Sequence, residues 1–146
     1  MQSVTRISPE EAKKLMDDEG YTYVDVRTEA EYAAGHPARA HNVPVMVAGG
    51  RGMEPNADFM NVMSAVYPKD AKIVVGCKSG NRSMRAAQML LEGGFTSVVE
   101  QRAGWDGSRN AFGAVTEQGW SAKGLPTETE TPGGSYADLK RRTAAG

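Results

Sequence analysis

The 146-residue sequence contains one cysteine, two histidines and no long apolar run. A single cysteine excludes an intrachain disulfide and a multi-cysteine zinc site. No stretch approaches the length that a membrane-spanning helix requires, and the N-terminus lacks the apolar segment of a signal peptide. Charge of one sign is also lacking: 17 basic against 18 acidic residues leave a formal net charge of −1. That balance gives no support to a general nucleic-acid-binding or anionic-membrane surface. No internal repeat is present. With 40% apolar and 24% charged residues, the chain suits one domain with a core of its own. The expectation is a soluble protein of a reducing compartment, the cytoplasm first.

The lone cysteine lies in the stretch that carries the most chemistry. Ile73-Val74-Val75 is a short β-branched run and reads as a buried strand. Ser83 to Glu92 reads as a helix, with Arg85, Gln88 and Glu92 on one side, Met84, Ala86, Ala87, Leu90 and Leu91 on the other, and Gly93-Gly94 as its stop. Cys77 falls in the tight loop between them. A strand–loop–helix junction puts it at the carboxyl edge of a sheet, where open α/β folds bind ligands. Amides of a short loop and of a first helical turn have no intrahelical acceptor, so they can curl around an anion. Lys78 and Arg82 add positive charge on either side. A lone cysteine is usually a small buried hydrophobe, but this setting favours thiolate and marks Cys77 as a nucleophile.

The rest of the chain alternates helix and strand signals. Ser8-Pro9-Glu10-Glu11 is a capping box with proline at the first helical position, and Gly20 ends that helix. Tyr21 to Val26 reads as a strand. Thr28-Glu29-Ala30-Glu31 opens a second, short helix that Gly35-His36-Pro37 breaks. Asn42-Val43-Pro44-Val45 is extended. Residues 47–56 read as an exposed loop, and Asn56 as the cap of a helix carrying Phe59, Val62, Met63 and Val66. Met60, Met63, Met84 and Met89 are core filler on this reading. Thr96 to Glu100 is another strand, residues 102–109 a glycine-rich loop with Trp105, and residues 114–120 a short helix. From Thr127 the chain is polar and then basic, and is expected to be a tail, disordered or loosely docked. The pattern predicts an α/β domain over residues 1–126 with a mainly parallel sheet flanked by helices on both faces, followed by a polar tail over 127–146. The loops after Val26, Gly76 and Gln101 then share one edge, which places Asp25, Arg27 and Trp105 near Cys77. Asp25 and Arg27, two apart on a strand, form a structural ion pair, or Arg27 pairs with Glu31.

Cys77-Lys78-Ser79-Gly80-Asn81-Arg82-Ser83 after an apolar strand resembles the active-site loop of rhodaneses, the thiosulfate sulfurtransferase family. The resemblance continues through Val24-Asp25-Val26-Arg27, Glu31-Tyr32, Gly35-His36 and Asn42-Val43-Pro44, and closes with Gly104-Trp105, Trp120 and Gly124-Leu125-Pro126. It covers about residues 5–126. The chain departs from the family at Pro37-Ala38-Arg39-Ala40, where Ile-Pro-Gly-Ala is usual after Gly-His, and at Ala103, where the usual pair is Gly-Gly.

The resemblance implies that Cys77 takes a sulfane sulfur from a small anionic donor such as thiosulfate and passes it to cyanide or a thiol through a persulfide. A protein thiol is among the acceptors this chemistry allows. The amides of Lys78, Ser79, Gly80, Asn81, Arg82 and Ser83 would hold the persulfide's charge and the donor's oxyanion, the side chains of Lys78 and Arg82 would attract the anionic donor, and no metal or organic cofactor is implied. Two other classes compete. Phosphatases of the cell-cycle dual-specificity type, and arsenate reductases of related fold, share this topology. Those phosphatases place five residues between cysteine and arginine, however, and only four separate Cys77 from Arg82. A shorter loop suits a sulfur better than a phosphoryl group. A non-catalytic rhodanese module that only binds a partner has little reason to keep the loop intact. His36 and His41 are weak candidates as bases, because a thiolate needs none. Asn81-Arg82-Ser83 is formally a glycosylation sequon, but in a tight loop without a secretion signal it is discarded.

Overall fold

The computed structural model describes residues 3–145. The chain opens with β1 (Thr5–Ile7) and α1 (Pro9–Glu19). The Ser8 hydroxyl accepts from the Glu11 N–H while the Glu11 carboxylate accepts from the Ser8 N–H, and Gly20 ends the helix in the left-handed region. Next come β2 (Thr22–Asp25) and α2 (Glu29–Ala34), the latter opened by the same reciprocal bonds between Thr28 and Glu31. Then follow β3 (His36–Pro37), β4 (His41–Asn42), β5 (Met46–Gly49), β6 (Gly52–Pro55), α3 (Phe59–Val66), β7 (Lys72–Gly76), α4 (Asn81–Glu92) and β8 (Ser97–Gln101). The chain finishes with β9 (Gly107–Arg109), β10 (Val115–Gln118), a 3₁₀ turn at Trp120–Ala122, β11 (Thr127–Glu128) and α5 (Tyr136–Ala145).

Five strands form the central sheet in the order β1-β8-β7-β2-β4, and every pairing is parallel. The period of two along a strand decides which residue meets which layer. Val24 and Val75 lie side by side, and with Ile73 they pack on Phe59, Val62 and Met63 of α3, Ala86, Ala87 and Leu90 of α4, and two residues of α5. Their neighbours Tyr23 and Val74, also paired, pack on Ala12 and Met16 of α1, Tyr32 of α2 and Trp120. Helices therefore cover both faces. That is why Ile73-Val74-Val75 is apolar without interruption, since a strand buried on both sides has no solvent face to mark. Met63 is fully buried and Met60 and Met89 pack at the margin of the first layer, as filler should. Among the described residues no helix is long and apolar enough to cross a membrane.

Four expectations need correction. Residues 47–56 are not simply a loop: β5 and β6 pair antiparallel about Gly50-Arg51, with Gly52 taking the positive φ, 97°, at the start of the return strand. Asn56 does not cap α3 but builds the turn before it, its Oδ1 accepting from the Asp58 N–H. Residues 114–119 are not helical, the 3₁₀ turn starting only at Trp120: β10 pairs antiparallel with β9, joined by a turn in which Asn110 Oδ1 accepts from the N–H groups of Phe112 and Ala114. The β-branched pair Val115-Thr116 suits this pleat better than a helix. The last correction concerns residues 127–146. β11 pairs with β3, and α5 docks on α3 and β4, with Tyr136 and Leu139 inside the core.

The departure at Pro37-Ala38-Arg39-Ala40 has a conformational consequence. Arg39 has φ 72°, the one positive φ of a non-glycine among the described residues. Its N–H donates to Glu128 of β11 and its guanidinium to Asp17 of α1, so partners on two elements hold it there. The substitution at Ala103 is accommodated without strain, because the positive φ of that turn falls on Gly104.

Candidate active site

β7 ends at Gly76 and delivers Cys77 to the carboxyl edge of the sheet, between the ends of β2 and β8. Three loops meet there, as the alternation of elements implied. The Val26 N–H donates to the Gly76 carbonyl, the Trp105 N–H to the Cys77 carbonyl and the Asp106 N–H to the Lys78 carbonyl, at 2.9, 2.8 and 2.8 Å. Two glycines allow this approach. Gly80 turns the chain into α4 with φ 101°, and a Cβ on it would lie 2.6 Å from the Arg102 carbonyl oxygen. Gly104 has φ 65°, and a Cβ there would lie 2.5 Å from the Cys77 carbonyl oxygen. Any side chain at either position would push the Cys77 loop and the β8–β9 loop apart.

Cys77 is 2% exposed, and its sulfur lies inside the turn. The Gly80 N–H donates to Sγ at 3.1 Å, and the Ser83 hydroxyl lies 3.3 Å from it. The helix begins at Asn81, earlier than the Ser83 expected, so Asn81 and Arg82 belong to its first turn and Ser83 points inward from it. The unpaired amides of that turn and the positive end of the helix face the sulfur's side of the junction.

Sequence reasoning missed Glu100. It sits on β8 beside Val75, fully buried, and its Oε2 accepts from the Ser83 hydroxyl at 2.5 Å while Oε1 accepts from Arg6 Nε at 2.6 Å. The only signal in the sequence was a charged residue directly after the apolar pair Val98-Val99 on that strand. Because Ser83 has one proton and gives it to Glu100, its oxygen is free to accept from the Cys77 thiol. Once the thiol ionises, rotation of the same hydroxyl supplies a second donor to the thiolate, and Arg6 still neutralises Glu100. Gln101 was missed too: its amide bonds both the N–H and the carbonyl of Gly104 and so braces the opposing loop.

The two cations expected to stand free at the loop are paired. Arg82 forms a two-pronged bond to Glu31, Nη1 to Oε1 at 2.7 Å and Nη2 to Oε2 at 3.0 Å. Lys78 is exposed and lies 3.7 Å from Asp106. Ser79 is half-buried and Asn81 exposed. Of the predicted binding residues, then, Gly80 and Ser83 meet the sulfur directly, while the side chains of Arg82 and Lys78 turn to carboxylates.

Arg27 pairs with Asp25 rather than Glu31. Its Nε and Nη2 reach the carboxylate at 3.0 and 2.7 Å, Nη2 also donates to the Gly35 carbonyl, and the Trp105 ring covers the guanidinium. Burial pushes the Asp25 carboxyl up, with these bonds pulling against it. The pair is a buried strut between the loops after β2 and β8. His36 is also structural: Nδ1 donates to the Tyr32 carbonyl at 2.7 Å and Nε2 bonds Thr131 Oγ1 at 2.8 Å. Among the described residues no group of three or more His, Cys, Asp or Glu side chains is disposed to hold a metal ion.

The Arg82 guanidinium, helped by the Thr28 N–H, holds the Glu31 carboxyl down at about 2, against an ordinary value of 4.5 and the opposing effect of partial burial. A carboxyl whose folded value is depressed adds stability above its unfolded value and loses it as pH falls through the folded one. The advantage of the wild type over Glu31→Gln is therefore expected to be constant above about pH 4.5 and to vanish towards pH 2. Because the pair is partly exposed and screened, the effect should be modest. Urea melts of both proteins across that range measure it, and a difference that stays flat down to pH 2 would show that the pair contributes nothing to folding.

Comparison with known proteins follows the geometry. A family model described as "Rhodanese-like domain" matches residues 8–111. The chain is 38% identical over 109 residues to thiosulfate sulfurtransferase 16, chloroplastic, of Arabidopsis thaliana, covering 75% of this chain and 81% of that protein. It is 44% identical over 86 residues to senescence-associated protein DIN1 of Raphanus sativus, covering 59% of this chain and 47% of the radish protein, so it spans about half the length of that relative. Among solved structures, Rv0390 from M. tuberculosis superposes with a TM-score of 0.70 at 30% identity, covering 88% of this chain and all of that one. With the family match running from the cap of α1 to beyond β9, the chain belongs to the rhodanese-like domain family.

Proposed function

We propose that this protein is a sulfurtransferase that moves a sulfane sulfur through a persulfide on Cys77. The observation that carries the reading is the turn around Sγ, with the Gly80 N–H at 3.1 Å and the Ser83 hydroxyl at 3.3 Å at the start of α4. In the first step the Cys77 thiolate attacks the outer sulfur of a donor such as thiosulfate. A new S–S bond forms, the donor's S–S bond breaks, and its electron pair leaves on sulfite. In the second step an acceptor thiolate or cyanide attacks the outer sulfur of the persulfide, and the Cys77 thiolate is released. The loop amides stabilise the negative charge on the outer sulfur and on the departing oxyanion. Since Arg82 and Lys78 are already paired, those amides carry more of the donor's recognition than the side chains do. The nearly covered sulfur favours a small donor that presents one terminal atom. A free thiol at the reaction centre suits a reducing compartment, the cytoplasm first.

A phosphatase reading is weaker on geometric grounds. Arg82, the arginine that would grip a phosphoryl group, is held by Glu31 on α2. The test is intact-mass spectrometry after incubation with thiosulfate. The protein is expected to gain the mass of one sulfur atom and to lose it on addition of cyanide, while aryl phosphates are not turned over. No mass gain, or hydrolysis of an aryl phosphate that disappears in Cys77→Ser, would overturn the assignment.

A further inference from the structure

Four cations approach the Cys77 loop, and each is met by a carboxylate. Arg27, covered by the Trp105 ring, pairs with Asp25. A Cβ on Gly80 would lie 3.0 Å from Arg6 Nη2, and Arg6 pairs with Glu100. Lys78 faces Asp106, and Arg82 faces Glu31. These four pairs carry no net charge, although the donor proposed for this sulfur is an anion. Asp25 and Glu100 are buried and belong to the framework of the loop. Lys78 and Asp106 are exposed and 3.7 Å apart, so water and salt screen them.

The Arg82–Glu31 pair differs from the other three. Arg82 is the arginine of the loop itself, and its guanidinium lies within electrostatic reach of the Cys77 sulfur. Both oxygens of Glu31 engage that guanidinium, at 2.7 and 3.0 Å, in the fork-to-fork geometry that makes such bonds strong. Glu31 is also held in place before any donor arrives. Its Oε1 accepts from the Thr28 N–H and the Thr28 hydroxyl, both at 3.1 Å, as part of the cap of α2. With its carboxyl held down at about 2, Glu31 stays ionised wherever thiol chemistry runs. An anion arriving at Sγ therefore meets an arginine whose charge α2 has already cancelled.

Resting on the reading of Cys77 as the sulfur carrier, we propose that Glu31 is a specificity-determining residue. By cancelling the charge of Arg82 it sets the site for sulfane donors with a single negative charge and against dianions. An electrostatic potential acts on a donor in proportion to the donor's charge. Uncovering Arg82 therefore favours a dianion twice as strongly, on a logarithmic scale, as a monoanion. Any change in the reactivity of the sulfur itself is common to both donors and cancels in their ratio. A merely structural role for Glu31 would alter both donors by the same factor.

The test is transfer to cyanide from two donors, thiosulfate as the dianion and methanethiosulfonate as the monoanion, with the uncatalysed rates subtracted. From either donor Cys77 takes the outer sulfur and the donor's S–S bond breaks. Sulfite leaves from the first and methanesulfinate from the second, each with the electron pair. Glu31→Gln is the variant, because glutamine can keep the capping box with Thr28 while losing the charge. Thermal melts establish that it folds. At low ionic strength its kcat/KM is expected to rise about tenfold for thiosulfate and about threefold for methanethiosulfonate. Both gains should shrink as salt is added. An equal factor for the two donors, no gain, or a gain that salt leaves untouched would overturn the proposal while leaving Cys77 as the sulfur carrier. Failure of both donors to load Cys77 in the wild type would overturn the sulfurtransferase reading, and the role of Glu31 with it.

Discussion

Cys77→Ser is expected to fold as the wild type does and to lose sulfur transfer from thiosulfate to cyanide by on the order of 10³-fold or more. The two parts of this result have separate causes. The side chain is buried in a turn with the Gly80 N–H and the Ser83 hydroxyl against it, and a serine hydroxyl can accept from the first and donate to the second. Loop geometry should therefore survive, and the melting temperature should move little. The chemistry should not survive, because an alcohol at neutral pH is not ionised and cannot hold a transferable sulfur. Ser83→Ala makes the complementary case. It removes the hydroxyl between Sγ and Glu100, so transfer should fall while the persulfide still forms. Turnover by Cys77→Ser comparable to the wild type would exclude a persulfide at this position.

The second large effect is one of stability. Leu139→Ala is expected to cost roughly 2–5 kcal/mol, lowering the melting temperature by about 10 °C. Leu139 is 0% exposed and packs, with Tyr136, into the layer built by α3 and the first face of the sheet. Deleting residues 131–146 should be more damaging. It removes α5 altogether, and it removes Thr131, the partner of His36 Nε2. Lys140→Ala, on the exposed side of the same helix, is the control and should change little. Thermal melts of the three proteins decide the matter. A truncated chain with wild-type stability would show that α5 rests on the core without supporting it.

This part of the chain was misread for a physical reason. Tyr136-Ala137-Asp138-Leu139-Lys140-Arg141-Arg142 carries two large apolar residues, three apart, among charges. Alone, such a segment is a poor helix, and most of its stability comes from the surface it docks on. The β9–β10 hairpin was lost in the same way, since four residues with one valine fit either period and pairing settles which. The signals that read correctly were local and reciprocal. The boxes at Ser8/Glu11 and Thr28/Glu31 need only neighbours along the chain, and both form as the spacing requires.

The sequence by itself determined the alternation of strands and helices, the double burial of β7, and the placing of Cys77 at a strand–helix junction between Gly76 and Gly80. Each follows from residues within a few positions of one another. Only the tertiary structure decided the charge around the sulfur. Arg82 meets Glu31 fifty-one positions away, and Glu100 comes under Ser83 from the next strand, so cations that look free along the chain are neutralised in space. Charge acts through distance in three dimensions and not through order in the chain.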